Sequence, residues 1–175
     1  YILAGALCGD HLKISNLCPQ HLTALLNTLE KMGVQLEVSS DSVIVTKSPN
    51  LKPVEIKTEV YPGFPTDLQQ PITTLLTTAT GKSKIEETIY ENRFKHVSYL
   101  NDMGANIEIQ SRMLAVVAPT KLTAKNVVAT DLRAGACLVL ASLIAEGTTL
   151  IYEVNHILRG YEDLITKLSN VGAKI

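Results

Sequence analysis

Residues 81–104 read GKSKIEETIYENRFKHVSYLNDMG, and the same grammar occurs twice more, as GDHLKISNLCPQHLTALLNTLEKMG at 9–33 and GTTLIYEVNHILRGYEDLITKLSNVG at 147–172. The opening glycines are 72 and 66 residues apart and the closing ones 71 and 68, so one unit is about 70 residues long. That period exceeds those of the common solenoid repeats. Each unit predicts an apolar helix ending at the opening glycine in an αL C-cap. A short Ile- and Thr-rich strand follows (LKIS, SKIEETI, TTLIYEV), then an amphipathic helix. The apolar stripes of those helices are Leu22, Leu25, Leu26 and Leu29, then Val97, Leu100 and Met103, then Leu164, Ile165 and Leu168. After the closing glycine comes a strand pair, VQLEV with SVIVT and NIEIQ with LAVVA. The units fall approximately at 1–50, 60–120 and 126–175 of a single domain.

Outward from the repeat lie the helices that precede the opening glycines. LQQPITTLLTTAT (68–80) carries Leu, Ile and Thr on most faces, and LRAGACLVLASLIAE (132–146) is apolar almost all round. A helix without a polar face is buried on every side. The expected fold is therefore α/β with the usual layering inverted, three such helices inside and the sheets outside, around a pseudo-threefold axis.

Composition agrees and excludes other classes. The chain has 175 residues, 46% hydrophobic and 19% charged, with 16 Lys+Arg against 17 Asp+Glu. Its mean hydropathy is +0.16 and its pI about 6.5. This balance suits neither a disordered chain nor a polyanion-binding surface, and no nucleic-acid partner is expected. With no Trp and eight aromatics, a base-stacking platform is not expected either. The longest apolar run, ACLVLASLIA at 136–145, is ten residues. That is half of the ~20 a spanning helix needs, so no membrane segment is expected. Cys8, Cys18 and Cys137 are odd in number and lack CxxC spacing, which predicts buried reduced thiols in a cytoplasmic protein and neither disulfides nor a metal site. The chain opens within an apolar segment, YILAGAL, without Met and without a leader pattern, as expected of a cut and not of a natural start.

Two of the buried helices start alike, at Thr66-Asp67-Leu68 and Thr130-Asp131-Leu132, 14 and 16 residues (Asp to Gly) before the opening glycines. Thr at the N-cap and Asp in the first turn account for each pair as helix chemistry alone. Arg93 and Arg159 each lie 12 residues after an opening glycine, where the first unit has His21, and Arg133 follows Asp131 by two. Arg at the start of an amphipathic helix opposes the dipole but suits anion binding. Parallel units would gather Asp67, Asp131, Arg93, Arg133 and Arg159 at one end. Two readings stand at this point: a solvated ring of ion pairs closing the helix ends, or a site where Arg clamps an anion and Asp accepts a proton.

The segments YPGFPTDLQQP (61–71), ETIYENRFKHV (87–97), MGANIEI (103–109), VATDLRAGACLVLASLIAEGTT (128–149) and HILRGYEDLITKLSNVGA (156–173) resemble the UDP-N-acetylglucosamine enolpyruvyl transferases (UDP-N-acetylglucosamine 1-carboxyvinyltransferases) over essentially the whole chain. The resemblance implies an inside-out α/β barrel domain of three βαβαββ units, one of two domains that close on ligands. It implies transfer of the enolpyruvyl group of phosphoenolpyruvate to the 3′-hydroxyl of UDP-N-acetylglucosamine with release of phosphate, the first committed step of peptidoglycan synthesis. Neither cofactor nor metal is implied. By this resemblance Asp67 meets the accepting hydroxyl as the candidate base, and Ile89 and Tyr90 lie against the sugar nucleotide. Arg93 is the Arg of the ENRF motif, Asp131, Leu132 and Arg133 face the reacting centre, and Arg159 contacts phosphoenolpyruvate on closure.

Some of the family's pattern is not found in this sequence. The family's reactive Cys, its Lys-Asn pair and a further Arg belong to the N-terminal-half domain, which is expected as the partner of this one. Cys8, Cys18 and Cys137 match no catalytic position. His-Ile-Asp-Arg-Gly in the family is His156-Ile157-Leu158-Arg159-Gly160 here. The chain alone is therefore expected to be inactive, with half an active site. Two alternatives are a 5-enolpyruvylshikimate-3-phosphate synthase-like enzyme and a non-catalytic relative that binds a ligand or partner.

Overall fold

The computed structural model describes the backbone of residues 1–175 and every side chain except that of Leu114. The middle of the chain shows the repeat in full: β4 (Glu55–Lys57), α3 (Gln69–Leu76), β5 (Ser83–Glu86), α4 (His96–Asp102), β6 (Asn106–Ser111) and β7 (Leu114–Ala118). Before it run α1 (Ile2–Cys8), β1 (Leu12–Ser15), α2 (Thr23–Met32), β2 (Gln35–Val38) and β3 (Ser42–Thr46). After it come β8 (Asn126–Val128), α5 (Leu132–Ile144), β9 (Leu150–Tyr152), α6 (Asn155–Leu158) and α7 (Leu164–Asn170).

Three sheets result, ordered β1-β3-β2, β4-β5-β7-β6 and β8-β9. The strand that enters a buried helix pairs in parallel with the strand that leaves it, as in β4–β5 (Ile56 opposite Ile85) and β8–β9 (Val127 opposite Ile151). Parallel neighbours need such a crossover, because no tight hairpin can join them. The strand pairs after the closing glycines are antiparallel. β4 starts at Glu55, ahead of the sequence-based unit boundary at 60; three residues between prolines and turns are too short to show alternation.

The buried helices do lie inside. α1, α3 and α5 pack on one another, α1 also against β3 and α3 against β7. All eight residues of α3 are buried, and Ile2 to Leu7 of α1 are too. Gly5 brings α1 so near β3 that a Cβ there would lie 3.0 Å from that of Val45. The inward side chains of the sheets, Val43, Val45, Ile85, Ala115 and Val117, are completely excluded from solvent. One core joins all three units; a small cluster of Ala129, Ile157, Leu164 and Leu168 sits under α6 and α7.

Several expectations are corrected. α5 is not buried all round: six of its 13 residues are buried, and Ala136, Val139 and Leu140 line an apolar cleft of about 260 Å³ with α1, α7 and Tyr161. In α7, Leu164 and Leu168 are buried but Ile165 is 46% exposed, and Ile157 of α6 fills the core instead. The closing glycines Gly33, Gly104 and Gly172 hold the left-handed C-terminal turns, with φ of +89°, +94° and +97°. Of the opening glycines only Gly147 has a positive φ, +105°, and it lies past the end of α5, whose C-cap is the extended Ala145; Gly9, the C-cap of α1, is extended too. All three thiols are free, but only Cys137 is buried. No helix of the described residues is long and apolar enough to cross a membrane.

Candidate active site

The chain from β4 to α4 builds most of the site. After β4 it runs through an exposed turn with a cis Tyr61–Pro62 bond and enters a short 3₁₀ turn, Thr66–Leu68, that leads into α3. Pro65 ends the extended segment and Pro71 falls in the first helical turn, where a missing N–H costs nothing. This places the Asp67 side chain at the helix entry, 60% exposed. A second helix entry, that of α5, presents Arg133, whose Nε donates to Asp67 Oδ1 at 2.6 Å. The turn before α4 presents Arg93, whose Nη2 donates to the same oxygen at 3.3 Å. Two guanidiniums thus converge on one carboxylate from positions 26 and 66 residues away. The hydrogen bond from Arg133 is the main reason the Asp67 carboxyl is held below the usual carboxylate range; burial opposes it, and the charges of Arg133 and then Arg93 add to the lowering. Asp67 Oδ1 is shared, and among the described residues Oδ2 has no side-chain or backbone donor.

Asp131 serves differently. It is the N-cap of α5, its Oδ1 accepting from the backbone N–H of Arg133 at 2.9 Å and of Ala134 at 3.0 Å. The capping residue is thus the Asp and not Thr130, and in the other unit Thr66 does not cap α3. Through the cap, Asp131 fixes the backbone from which Arg133 reaches Asp67. Leu132, next to it, carries the weight of Gly160, where a Cβ would stand 2.6 Å from the leucine Cδ1.

Neither Arg93 nor Arg159 sits at a helix N-terminus as expected. Arg93 lies in the turn 91–95 ahead of α4, and Arg159 is the C-cap of the one-turn α6, where a cation favours the dipole. The Arg93 guanidinium stacks over Tyr90, with Cζ 4.5 Å from the ring centroid, and its Nε donates to Thr66 Oγ1 at 3.3 Å. Its carbonyl accepts from Gln70 Nε2, which ties the turn to α3. Ile89 and Tyr90 are 38% and 54% exposed, on the open side. Arg159 is exposed and makes no side-chain hydrogen bond or ion pair among the described residues. The structure therefore brings Asp67, Arg93, Arg133 and Tyr90 into contact, holds Asp131 and Leu132 beside them, and leaves Arg159 apart.

Glu87 went unnoticed in the sequence. It is 0% exposed, and its carboxylate accepts from Thr58 Oγ1, Ile89 N and Tyr90 N on Oε1 and from Thr66 Oγ1 on Oε2, at 2.9–3.1 Å. In KIEETI an acid reads as a solvent-facing residue of a short strand; only the two threonines, 21 and 29 residues upstream, make it an interior one. Below Arg93 lies His96, fully buried, its Nε2 at 3.2 Å from Thr73 Oγ1. Burial lowers its pKa to about 4. No cluster of metal-ligating side chains is present among the described residues.

A domain with helices inside and sheets outside is the fold of solved enolpyruvyl transferases. The crystal structure of the enolpyruvyl transferase NikO from Streptomyces tendae superposes with a TM-score of 0.90 at 31% identity, over 99% of this chain and 41% of that one. The EPSP synthase structure from Acinetobacter baumannii shares the fold, with a TM-score of 0.65 at 16% identity over 86% of this chain and 36% of that one. The match to the family model for EPSP synthase (3-phosphoshikimate 1-carboxyvinyltransferase) extends over residues 1–168, and the chain belongs to that family. Among curated relatives, UDP-N-acetylglucosamine 1-carboxyvinyltransferase 2 of Listeria monocytogenes is 47% identical and that of Bacillus subtilis 49%, each along the whole of this chain. The Clostridium botulinum UDP-N-acetylglucosamine 1-carboxyvinyltransferase is also 49% identical. The chain spans about two-fifths of the length of these relatives, 41–42%.

Proposed function

We propose that this chain is one domain of a carboxyvinyl transferase that moves the enolpyruvyl group of phosphoenolpyruvate to the 3′-hydroxyl of UDP-N-acetylglucosamine and releases phosphate. The process it would serve is peptidoglycan synthesis, hence cell-wall biogenesis and division, in the cytoplasm. Its partner would be the N-terminal-half domain that supplies the reactive Cys and the remaining phosphoenolpyruvate contacts. The observation that carries this reading is the convergence of Arg93 and Arg133 on Asp67 Oδ1, with Oδ2 left for a hydroxyl.

In this scheme Asp67 Oδ2 accepts the proton of the attacking hydroxyl. A carboxylate held this low by two guanidiniums is a weak base. Arrival of an anionic substrate gives the arginines a second partner, and the carboxylate's proton affinity rises when it is needed. Arg133 and Arg93 then stabilise charge developing on the transferred group. Asp131 holds the α5 entry, Leu132 and the exposed Ile89 and Tyr90 offer apolar contact to the sugar nucleotide, and unpaired Arg159 is available to phosphoenolpyruvate when the domains close.

The test uses the full-length protein that contains this chain. Phosphate release from phosphoenolpyruvate should require UDP-N-acetylglucosamine, and excess shikimate-3-phosphate should neither replace nor inhibit it. Turnover with shikimate-3-phosphate would reassign the enzyme to the other branch of its family. Absence of turnover with either acceptor would favour a non-catalytic relative.

A further inference from the structure

We propose that Glu87 is a positioning residue of this site, a buried carboxylate whose four hydrogen bonds hold the base-bearing turn, the sugar-facing backbone and Arg93 in one arrangement. The inference rests on the transferase reading above. Its physical basis is the polarity of the network. Thr58 Oγ1 accepts from Thr88 N at 2.8 Å and donates its single proton to Glu87 Oε1. Thr66 Oγ1 accepts from Arg93 Nε and donates its own to Glu87 Oε2. Ile89 N and Tyr90 N have only a proton to offer. As the hydrogen bonds lie, all four partners donate to Glu87, and a carboxylate, with two oxygens that only accept, satisfies them together. A buried carboxylate is tolerated because every one of these bonds is charge-assisted.

Three pieces of the site are joined by this one side chain. Thr66 immediately precedes Asp67, Ile89 and Tyr90 form the open apolar face, and Arg93 is reached through the Thr66 hydroxyl. A further bond, Thr88 Oγ1 to Thr58 O, fastens the same loop to the end of β4. Glu87 itself has no exposed surface, so it touches no substrate and acts through these neighbours. An isosteric amide cannot take its place without turning an N–H toward at least one donor. Facing Thr66, it takes away the acceptor of the hydroxyl proton, which must turn from Glu87 Oε2 to another partner.

The experiment compares Glu87→Gln, Thr66→Val, Thr66→Ser and the Glu87→Gln/Thr66→Val pair in the full-length protein. Glu87→Gln should lower kcat roughly 10- to 100-fold, the range expected when supporting contacts let reacting groups drift. It should also raise KM for UDP-N-acetylglucosamine, which a mere loss of folded protein does not do. Thr66→Val should reproduce the fall in kcat, Thr66→Ser should recover most of it, and the double variant should be no worse than Glu87→Gln alone. Independently of activity, exchange of the Ile89 and Tyr90 amides should speed up in Glu87→Gln. Unchanged KM with unchanged amide exchange, or losses that multiply in the double variant, would overturn the proposal. If the unsubstituted protein lacks transferase activity, the functional reading falls, and the positioning role with it, while amide exchange still decides whether Glu87 holds the loop.

Discussion

Asp67 and His96 show how position changes a side chain's chemistry. Asp67 was legible from its place in a repeated Thr-Asp-Leu, and Arg93 and Arg133 as charges at the same end. Their shared bond to its Oδ1 was not, because one reaches it from the turn before α4 and the other from the entry of α5. His96 reads in the sequence as one more polar residue of an amphipathic helix; in the fold it is completely buried, and desolvation takes its pKa from 6.5 to about 4. Between those values the unfolded chain binds a proton that the native state does not, so stability falls as pH drops from 6.5 toward 4 and levels off below. The effect amounts to about 3 kcal/mol at most. Urea unfolding of the wild type and of His96→Gln across that window checks it: the variant should lose this part of the pH dependence. Cys137 makes a second case. Burial pushes its thiol up to about 12, with Thr74 Oγ1 3.3 Å from the sulfur. Iodoacetamide on native protein should modify Cys18 and Cys8 and spare Cys137 until denaturant is added, as peptide mass spectrometry would show.

At the scale of elements, α1, α3 and α5 were readable because an apolar surface all round a helix has one solution. The short strands β4 and β8 were not, since three residues carry no period. The cap of α5 was assigned to the wrong member of Thr130-Asp131, because both residue types cap well and only backbone geometry chooses. The α5–α6 contact carries a prediction. Gly160 lies against Leu132 and Gly135 against Ile157, where a Cβ would come within 2.4 Å of the Ile157 Cγ1. Gly160→Ala should therefore push α6 and Arg159 away from the α5 entry, at a cost of about 1–3 kcal/mol as for other overpacked contacts. Chemical denaturation measures the cost. KM for phosphoenolpyruvate should rise in the full-length variant if Arg159 grips it; an unchanged KM would remove Arg159 from that role.

For the whole molecule, the repeat made the inside-out layering legible, since helices without polar faces and sheets with one apolar face fit together in few ways. The site was legible only as a list of charges at one end. Glu87, which organises it, depends on contacts of long sequence separation that no local pattern announces. Asp67 and Tyr90 are exposed in this chain, and without a second domain to desolvate a substrate the purified 175-residue chain should release no phosphate from phosphoenolpyruvate by itself. The decisive measurement is steady-state phosphate release by the full-length protein and by its Asp67→Asn variant with both substrates saturating. Loss of a general base predicts a kcat lower by roughly 10²–10⁴-fold with an unaltered melting temperature. A variant that keeps within about threefold of wild-type turnover would contradict a reaction centred on Asp67.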